Sequence, residues 1–368
     1  MTGARRVLVV RADSLGDVLL AGPAARAIAT SGASVTMLCS PVGAAAARRL
    51  PGVDDVAVHR LPWIDADPEP VARDAMDRLV DDLAARDFDE AFVLTSFHQS
   101  ALPTALLLRM AHVPVIAAVS EDYPGSLLDV RHPDPGDVHE VERALSLVGS
   151  RGYRLPPGDD GALRMRRRRT RTELDLGGDP YVVVHPGCSV PARTWAPDRF
   201  VALVDALVAR GYDVAVTGSA RERAMVERVS AGPRPHVRPF GGLPELDDLV
   251  DVVAGAAAIV VGNTGPAHVA AAVGTPVVSL FAPTVPAARW RPWRVPHVLL
   301  ADQTVACAGC RARVCPVAGH PCLSRVSVDD VVRALEELGV LPSRGTELPE
   351  VVLREAGLPE AALPELVP

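Results

Sequence analysis

The chain has no lysine: its 38 basic residues are all arginine, and with 45 acidic residues the formal net charge is -7. An acidic sum with scattered arginines reads as the codon bias of a GC-rich genome and argues against nucleic acid as a partner. The exception is RMRRRRTR at 164–171, read as a solvated linker in preference to a patch for an anionic acceptor or a membrane surface. No run reaches the roughly 18 unbroken apolar residues of a membrane span, and the N-terminus has a strand pattern where a signal peptide needs a charged start and an apolar core. The expected location is the cytoplasm, with at most peripheral membrane contact. Neither G-x-G-x-x-G nor G-x-x-x-x-G-K-[ST] follows the first apolar run, so neither a dinucleotide pyrophosphate loop nor a P-loop is supported. Six cysteines in 368 residues do not make a disulfide scaffold.

What is present is a rhythm. The composition, 48% hydrophobic and 23% charged, suits a globular chain of about two domains. Short apolar runs alternate with helical patterns: RVLVV, a helix over 16–30, SVTML, a helix over 42–50, DVAVH, a helix over 71–86, EAFVLT, a helix over 101–110, PVIAAV and a helix over 138–147. Residues 150–180 break the pattern with Pro, Gly, Asp and the arginine run. It resumes with YVVVHPG, a helix over 197–210, DVAVTG, a helix from 221, a strand over 236–239, a helix over 245–254, AAIVVGN, a helix from 265 and PVVSLF. Two βαβ series predict an α/β chain of two Rossmann-like domains, 1–170 and 171–326, with parallel sheets facing across a cleft. SVDDVVRALEELGVL supplies an amphipathic terminal helix within 327–341, and 342–368 reads as a loosely held tail with a short helix near 350–356.

In such folds ligands lie beyond the carboxyl ends of the strands, so loops directly after strands carry the weight. The first, RADSLGD, ends a strand in a turn with Asp13 and Ser14 as helix caps, Gly16 for close backbone approach, and Asp17 in the first helical turn. Capping explains Asp13 well and Asp17 less completely, because a carboxylate at a cleft mouth can also accept a proton from a substrate hydroxyl. The second, HPGCSVPARTWAPDRF (185–200), offers Gly187, the small polar Cys188 and Ser189, and Arg193, a planar cation suited to a diphosphate. The third, VVGNTGPAHVAAAVGTPVVSLFAPT (260–284), ends a strand at Asn263-Thr264-Gly265. A helix of small residues then begins at Pro266, so its free N–H groups point into the loop and could bind phosphate without a metal. His268 falls in the first turn of that helix, where a core hydrogen bond is the plainer reading of a lone histidine.

Taken together and in this order, RVLVVRADSLGDVLLAGPAARAI, the second loop with its helix, and the third loop resemble the ADP-heptose:lipopolysaccharide heptosyltransferase family, glycosyltransferase family 9, over most of residues 5–338. The resemblance implies a GT-B fold, inversion at the anomeric carbon, no metal in catalysis, and a terminal helix crossing back to the first domain. It implies that Asp17 is the catalytic base, with Asp13, Ser14 and Gly16 in the acceptor-side loop. Donor contacts would come from Cys188, Ser189, Arg193, Glu222, Asn263, Thr264, Gly265 and His268. Arg193 stands where the family commonly has lysine, and Asn263 departs from the family's aspartate, which puts the donor sugar in question. The partners implied are a nucleotide-sugar donor, ADP-heptose first, and a glycan, lipid-linked or small-molecule acceptor.

Two other readings stay open: a transferase of specialised metabolism using another nucleotide sugar, and a sugar-nucleotide epimerase or non-catalytic binder on the same scaffold. Cys307, Cys310, Cys315 and Cys322 have spacing that admits a structural zinc, with free or redox-active thiols favoured. Asp65 and Asp67 among prolines read as a solvated loop, and His98, His112, His132 and His139 lack partners at ligand spacing. Trp290 and Trp293 either stack on the donor base or pack. Hinge motion is expected, with the linker near residue 170 as a candidate.

Overall fold

A computed structural model describes residues 3–65, 67–167, 180–243 and 245–341. In the first half lie strands β1 (Arg6–Val10), β2 (Ser34–Cys39), β3 (Asp55–Val58), β4 (Glu90–Val93), β5 (Ile116–Val119) and β6 (Val130–His132). The second half holds β7 (Tyr181–His185), β8 (Asp213–Gly218), β9 (Val237–Gly241), β10 (Ala258–Gly262), β11 (Val277–Leu280) and β12 (His297–Leu300). Between the first six strands run α1 (Leu15–Leu20), α2 (Gly22–Ala29), α3 (Ala44–Ala47), α4 (Arg73–Ala85) and α5 (Leu102–Met110), and α6 (Glu140–Gly149) follows them. The second half adds α7 (Pro197–Val208), α8 (Arg223–Ser230), α9 (Leu246–Ala254), α10 (Gly265–Val273), α11 (Ala287–Trp290), α12 (Pro321–Ser324) and α13 (Val328–Glu337), with 3-10 turns at Pro191–Arg193 and Ala220–Glu222.

Both sheets have six strands, ordered β3-β2-β1-β4-β5-β6 and β12-β11-β10-β7-β8-β9, and every neighbouring pair is parallel. The order is the same in each lobe once the second is read from β9, so each lobe reverses direction once, between β1 and β4 and between β7 and β10. These are the switch points at which a crevice opens beyond the strands. The architecture is the expected pair of Rossmann-like units, each with one more edge strand than the sequence pattern announces: β6 and β12.

The inner strands are mostly apolar because both of their faces are covered, whereas the edge strands β6, β9 and β12 are partly exposed. Val7 and Val9 of β1 and Ile259 and Val261 of β10 point into one apolar cluster that is continuous between the lobes and includes α1, α2, α6, α9 and α10 residues. Leu8 and Val10 face α4 and α5, and Ala258 and Val260 face α7 and α13. Period-two alternation thus divides three cores.

Two expectations about helices are corrected. The single helix over 16–30 is two helices joined at Ala21, because Pro23 has no N–H to continue the ladder and Gly22 loosens the joint. The terminal helix does not cross back to the first lobe. In α13, Val331, Val332 and Leu335 bury against Trp195, Phe200 and Leu203 of the second lobe, where Trp195 Nε1 also donates to Val326 O at 3.1 Å. The boundary and hinge expected near 170, the distal part of the arginine run, the tail over 342–368 and its short helix lie outside the described residues. The near part of the run is tied down: Arg164 pairs with Asp159 and Asp160, and Arg167 reaches Asp251 at 3.4 Å. Asp65 pairs with Arg60, as befits a solvated loop. Among the described residues no helix is long and apolar enough to cross a membrane.

Candidate active site

The first switch point is built on Arg11, the residue directly after β1. Its guanidinium is buried and faces three carboxylates: Asp13 at 3.0 Å, Asp17 at 3.0 Å and Glu140 of α6 at 3.4 Å, with Ser96 Oγ at 3.0 Å. Such a cation is tolerated inside only because it is paired. Ser14 caps α1, and its hydroxyl donates to Asp17 Oδ2 at 2.7 Å. The other Asp17 oxygen, Oδ1, accepts from Arg11 and, at 3.1 Å, from Trp290 Nε1 of the second lobe. Burial alone would raise the Asp17 pKa, but Arg11 with the Ser14 and Trp290 hydrogen bonds outweighs it and holds the group at about 2. Asp13 goes the other way: burial, with Asp17 alongside, pushes it up to about 6 despite Arg11 and a 2.5 Å hydrogen bond from Gln99.

The second switch point meets the first. A methyl group on Gly16 would lie 2.7 Å from His268 Cδ2 and 3.4 Å from Gly265 Cα, so only glycine permits this approach of the α1 and α10 N-termini. His268 is buried, its Nδ1 has no partner among the described residues, and burial against the pull of Asp17 lowers its pKa to about 4. Asn263 is likewise buried with Nδ2 unpartnered. Thr264 begins α10 without capping it through its side chain, which leaves the helix N-terminus free for an anion.

The β7 loop closes this side. Cys188 Sγ lies 3.9 Å from Asn263 O, its thiol pushed up by burial, while Ser189 is exposed. A methyl group on Gly187 would collide with Glu222 Oε1 at 2.1 Å, and Glu222 itself accepts from Ser219 N and Oγ at 2.8 and 2.7 Å. Glu222 is 3.9 Å from His185 Nε2, a buried histidine at the end of β7 whose Nδ1 meets Thr217 Oγ1 at 2.9 Å. Arg193 Nε donates to Thr284 Oγ1 at 2.9 Å.

Asp13, Ser14, Gly16, Asp17, Gly265 and His268 therefore come together directly, with Asn263, Thr264 and Cys188 adjoining. Glu222 sits beside Gly187 on the flank of that loop. The cysteine cluster stands apart: all four thiols are free and line one cavity with Ala192, Thr284 and His320. Among the described residues no three His, Cys, Asp or Glu side chains come together to hold a metal ion, so the zinc option at Cys307, Cys310, Cys315 and Cys322 has no ligand set. Trp290 and Trp293 pack: Trp290 lies against Phe97 with ring centroids 5.8 Å apart, and Trp293 stacks on His139 at 4.2 Å. His139, given no role from spacing, caps α6.

Sequence reasoning passed over Arg11, Glu140, Gln99 and Arg289, and gave Trp290 no link to Asp17. Arg289 is buried and joins the lobes through Asp137 at 2.9 Å and Glu140 at 3.8 Å, lying over the Phe97 ring at 4.7 Å. A charge immediately after a wholly apolar strand was the available signal for Arg11.

The model of glycosyltransferase family 9 (heptosyltransferase) matches residues 76–320. The chain belongs to glycosyltransferase family 9. It is 36% identical over 173 residues to lipopolysaccharide heptosyltransferase 3 of Escherichia coli K12, covering 42% of this chain and 47% of that protein. The chain thus spans about half the length of that relative. To lipopolysaccharide heptosyltransferase 1 of Pseudomonas aeruginosa it is 31% identical over 304 residues, covering 76% of this chain and 79% of that one. The solved structure of E. coli ADP-heptose LPS heptosyltransferase II shares the GT-B fold, with a TM-score of 0.68 at 20% identity over 90% of this chain and 98% of that one. In this GT-B frame the two switch points form the facing walls of the interdomain cleft.

Proposed function

We propose that this family 9 chain transfers a sugar, a heptose or a close relative, from an ADP-activated donor to an acceptor hydroxyl. The transfer inverts the anomeric carbon and uses no catalytic metal. The observation that carries the reading is the meeting of a carboxylate from one lobe with a helix N-terminus from the other that has no side-chain cap, Asp17 beside Gly265 and His268.

The chemistry follows from that opposition. As the acceptor oxygen attacks the anomeric carbon, its proton passes to Asp17, and the bond from that carbon to the diphosphate oxygen breaks on the opposite face. Asp17 is ionised at neutral pH because Arg11, Ser14 and Trp290 stabilise its anion; it is a weak base, which suits proton transfer that accompanies bond formation. The departing diphosphate collects charge, and the N–H groups at the start of α10 with the Arg193 guanidinium stabilise it. Cys188, Ser189 and Thr264 contribute small polar contacts. Glu222, fixed by Ser219, is assigned to the nucleotide ribose. The chain is assigned to the cytoplasm, and its acceptor as a glycan of the lipopolysaccharide type, as named for the relatives.

Asn263 supports one variation. Its buried, unpartnered amide replaces a carboxylate that accepts only, and an amide can also donate to a sugar oxygen, which favours a donor sugar other than the relatives' heptose. Calorimetric titration with ADP, GDP, UDP and their sugars tests the reading. ADP and an ADP-sugar should bind at least about tenfold more tightly than the others, about the discrimination of one well-placed hydrogen-bonded contact. A preference for UDP or GDP, or no nucleotide binding, would remove the donor assignment.

A further inference from the structure

The cysteine-bearing loop over 304–320 takes no part in the chemistry above, yet it is bonded to both supports of Arg193. Gly309 N donates to Pro283 O at 2.7 Å and Arg311 N to Thr284 O at 2.9 Å. From the other side Ala192 N donates to Arg313 O at 2.9 Å, and His320 Nε2 meets Ala192 O at 2.9 Å. Thr284 is also the residue whose hydroxyl receives Arg193 Nε. Arg193 and Arg311 therefore hang from one threonine, the first by its side chain and the second by its backbone. Beneath them the four thiols, Ala192 and Thr284 line one cavity, so packing there fixes both arginines together.

Three observations single out Arg311. Its φ is +51°, a left-handed conformation that an arginine keeps only where its surroundings over-determine it. Its exposed guanidinium has no hydrogen bond or ion pair among the described residues, on a chain whose other loop arginines mostly find carboxylates or carbonyls. And it sits beside Arg193, tied through its backbone to the Thr284 whose hydroxyl Arg193 donates to; in keeping with that place, the His98 imidazole in the loop after β4, lowered in pKa first by burial, is lowered further by Arg311 and by Arg11 and Arg193. The cation is thus held on the Arg193 side of the gap, opposite the first lobe.

We propose that Arg311 is a second cation for the donor's diphosphate, taking oxygens of the outer phosphate while Arg193 and the α10 N-terminus hold the rest. The assignment rests on the nucleotide-diphosphate reading above and deepens it. On a chain without lysine a second planar guanidinium fork can spread the leaving charge, and an arginine with no carboxylate partner among the described residues can accept an anion without first breaking an ion pair.

The test is calorimetric titration of the full chain with ADP, AMP and adenosine, for wild type, Arg311→Ala, Arg311→Lys and Arg193→Ala. Arg311→Ala should weaken ADP about tenfold or more, as expected for loss of a charge-assisted contact, leave AMP and adenosine unchanged, and be partly restored in Arg311→Lys. Its unfolding midpoint should match wild type, since the side chain is exposed. If Arg193→Ala weakens ADP while Arg311→Ala does not, the Arg311 assignment is overturned and the donor reading stands. If adenosine weakens as much as ADP, or if only the acceptor KM moves, the assignment is also overturned. If ADP does not bind wild type at all, the donor reading itself fails.

Discussion

The two lobes share one strand order and differ in how their switch points are filled. In the first, every charge faces an opposite charge: Arg11 sits among Asp13, Asp17 and Glu140, and both Asp17 oxygens are hydrogen-bonded, although Arg11 Nε, Asp13 Oδ2 and Glu140 Oε1 make no hydrogen bond of their own. In the second, polar groups wait: Asn263 Nδ2 and His268 Nδ1 are buried without partners, and Arg193 has a single hydrogen bond. A network of paired charges fixes the Asp17 side chain in one position at the cost of adaptability. Unpaired donors cost stability until an anion arrives. One topology therefore serves both a held proton acceptor and an open anion cradle, and what separates them is that opposite charges meet at the first loop while the second has polar groups with no opposing charge.

The contrast breaks most visibly under Asp17→Asn. Turnover should fall about a hundredfold or more, as for loss of a general base, while ADP affinity stays at the wild-type value; steady-state kinetics beside calorimetry reads both. Loss of ADP affinity in step with turnover would mean that the lobes do not divide the work. Next in size is stability. Arg11→Leu leaves Asp13 and Asp17 without their cation, and Glu140 with Arg289 alone of its two ion-pair partners, and should cost about 3–5 kcal/mol in urea unfolding. The counterpart Arg193→Leu, which removes one hydrogen bond, should cost about 1 kcal/mol.

The smallest effect is on the pH profile of stability, where buried groups act in opposite senses. His268, at about 4, and His139, at about 3, stay neutral in the folded chain while the unfolded chain takes protons near 6.5. Their contribution is complete above that value and is lost as pH falls towards 4. Asp13 at about 6 binds its proton in the folded state before an unfolded aspartate at 3.8 would, so it returns stability over the interval from about 6 to 4. Asp17, held at about 2, contributes above 3.8 and is lost only between about 4 and 2. In acid unfolding, Asp13→Asn should steepen the loss between pH 6 and 4, and His268→Gln should flatten it. An unchanged profile in both variants would contradict the burial assigned to these groups.

Much of this was legible in the sequence because it is local. Val7 to Val10 and Tyr181 to His185 are apolar on both faces, so they could only be covered parallel strands. Gly16 and Asp17, and Gly265 with His268, follow their strands by a few residues. β6 and β12 were not legible, since Val130–His132 and His297–Leu300 are short and half-exposed, so their apolar pattern is weak. Nor were the groups that set the chemistry of Asp17. Glu140 is 129 residues from Arg11 and Trp290 is 273 from Asp17, and no periodicity reports a contact between residues so far apart in the chain. The terminal helix went the other way for a related reason: amphipathicity announces a buried face without saying which lobe buries it.

A structure of the chain with ADP bound tests the division of labour most directly. The account predicts the diphosphate in the second lobe, on the Gly265 N–H and Arg193, with the Asp17 carboxylate facing it across the gap. A nucleotide seated instead at the Arg11 switch point of the first lobe, or a diphosphate away from the start of α10, would contradict it.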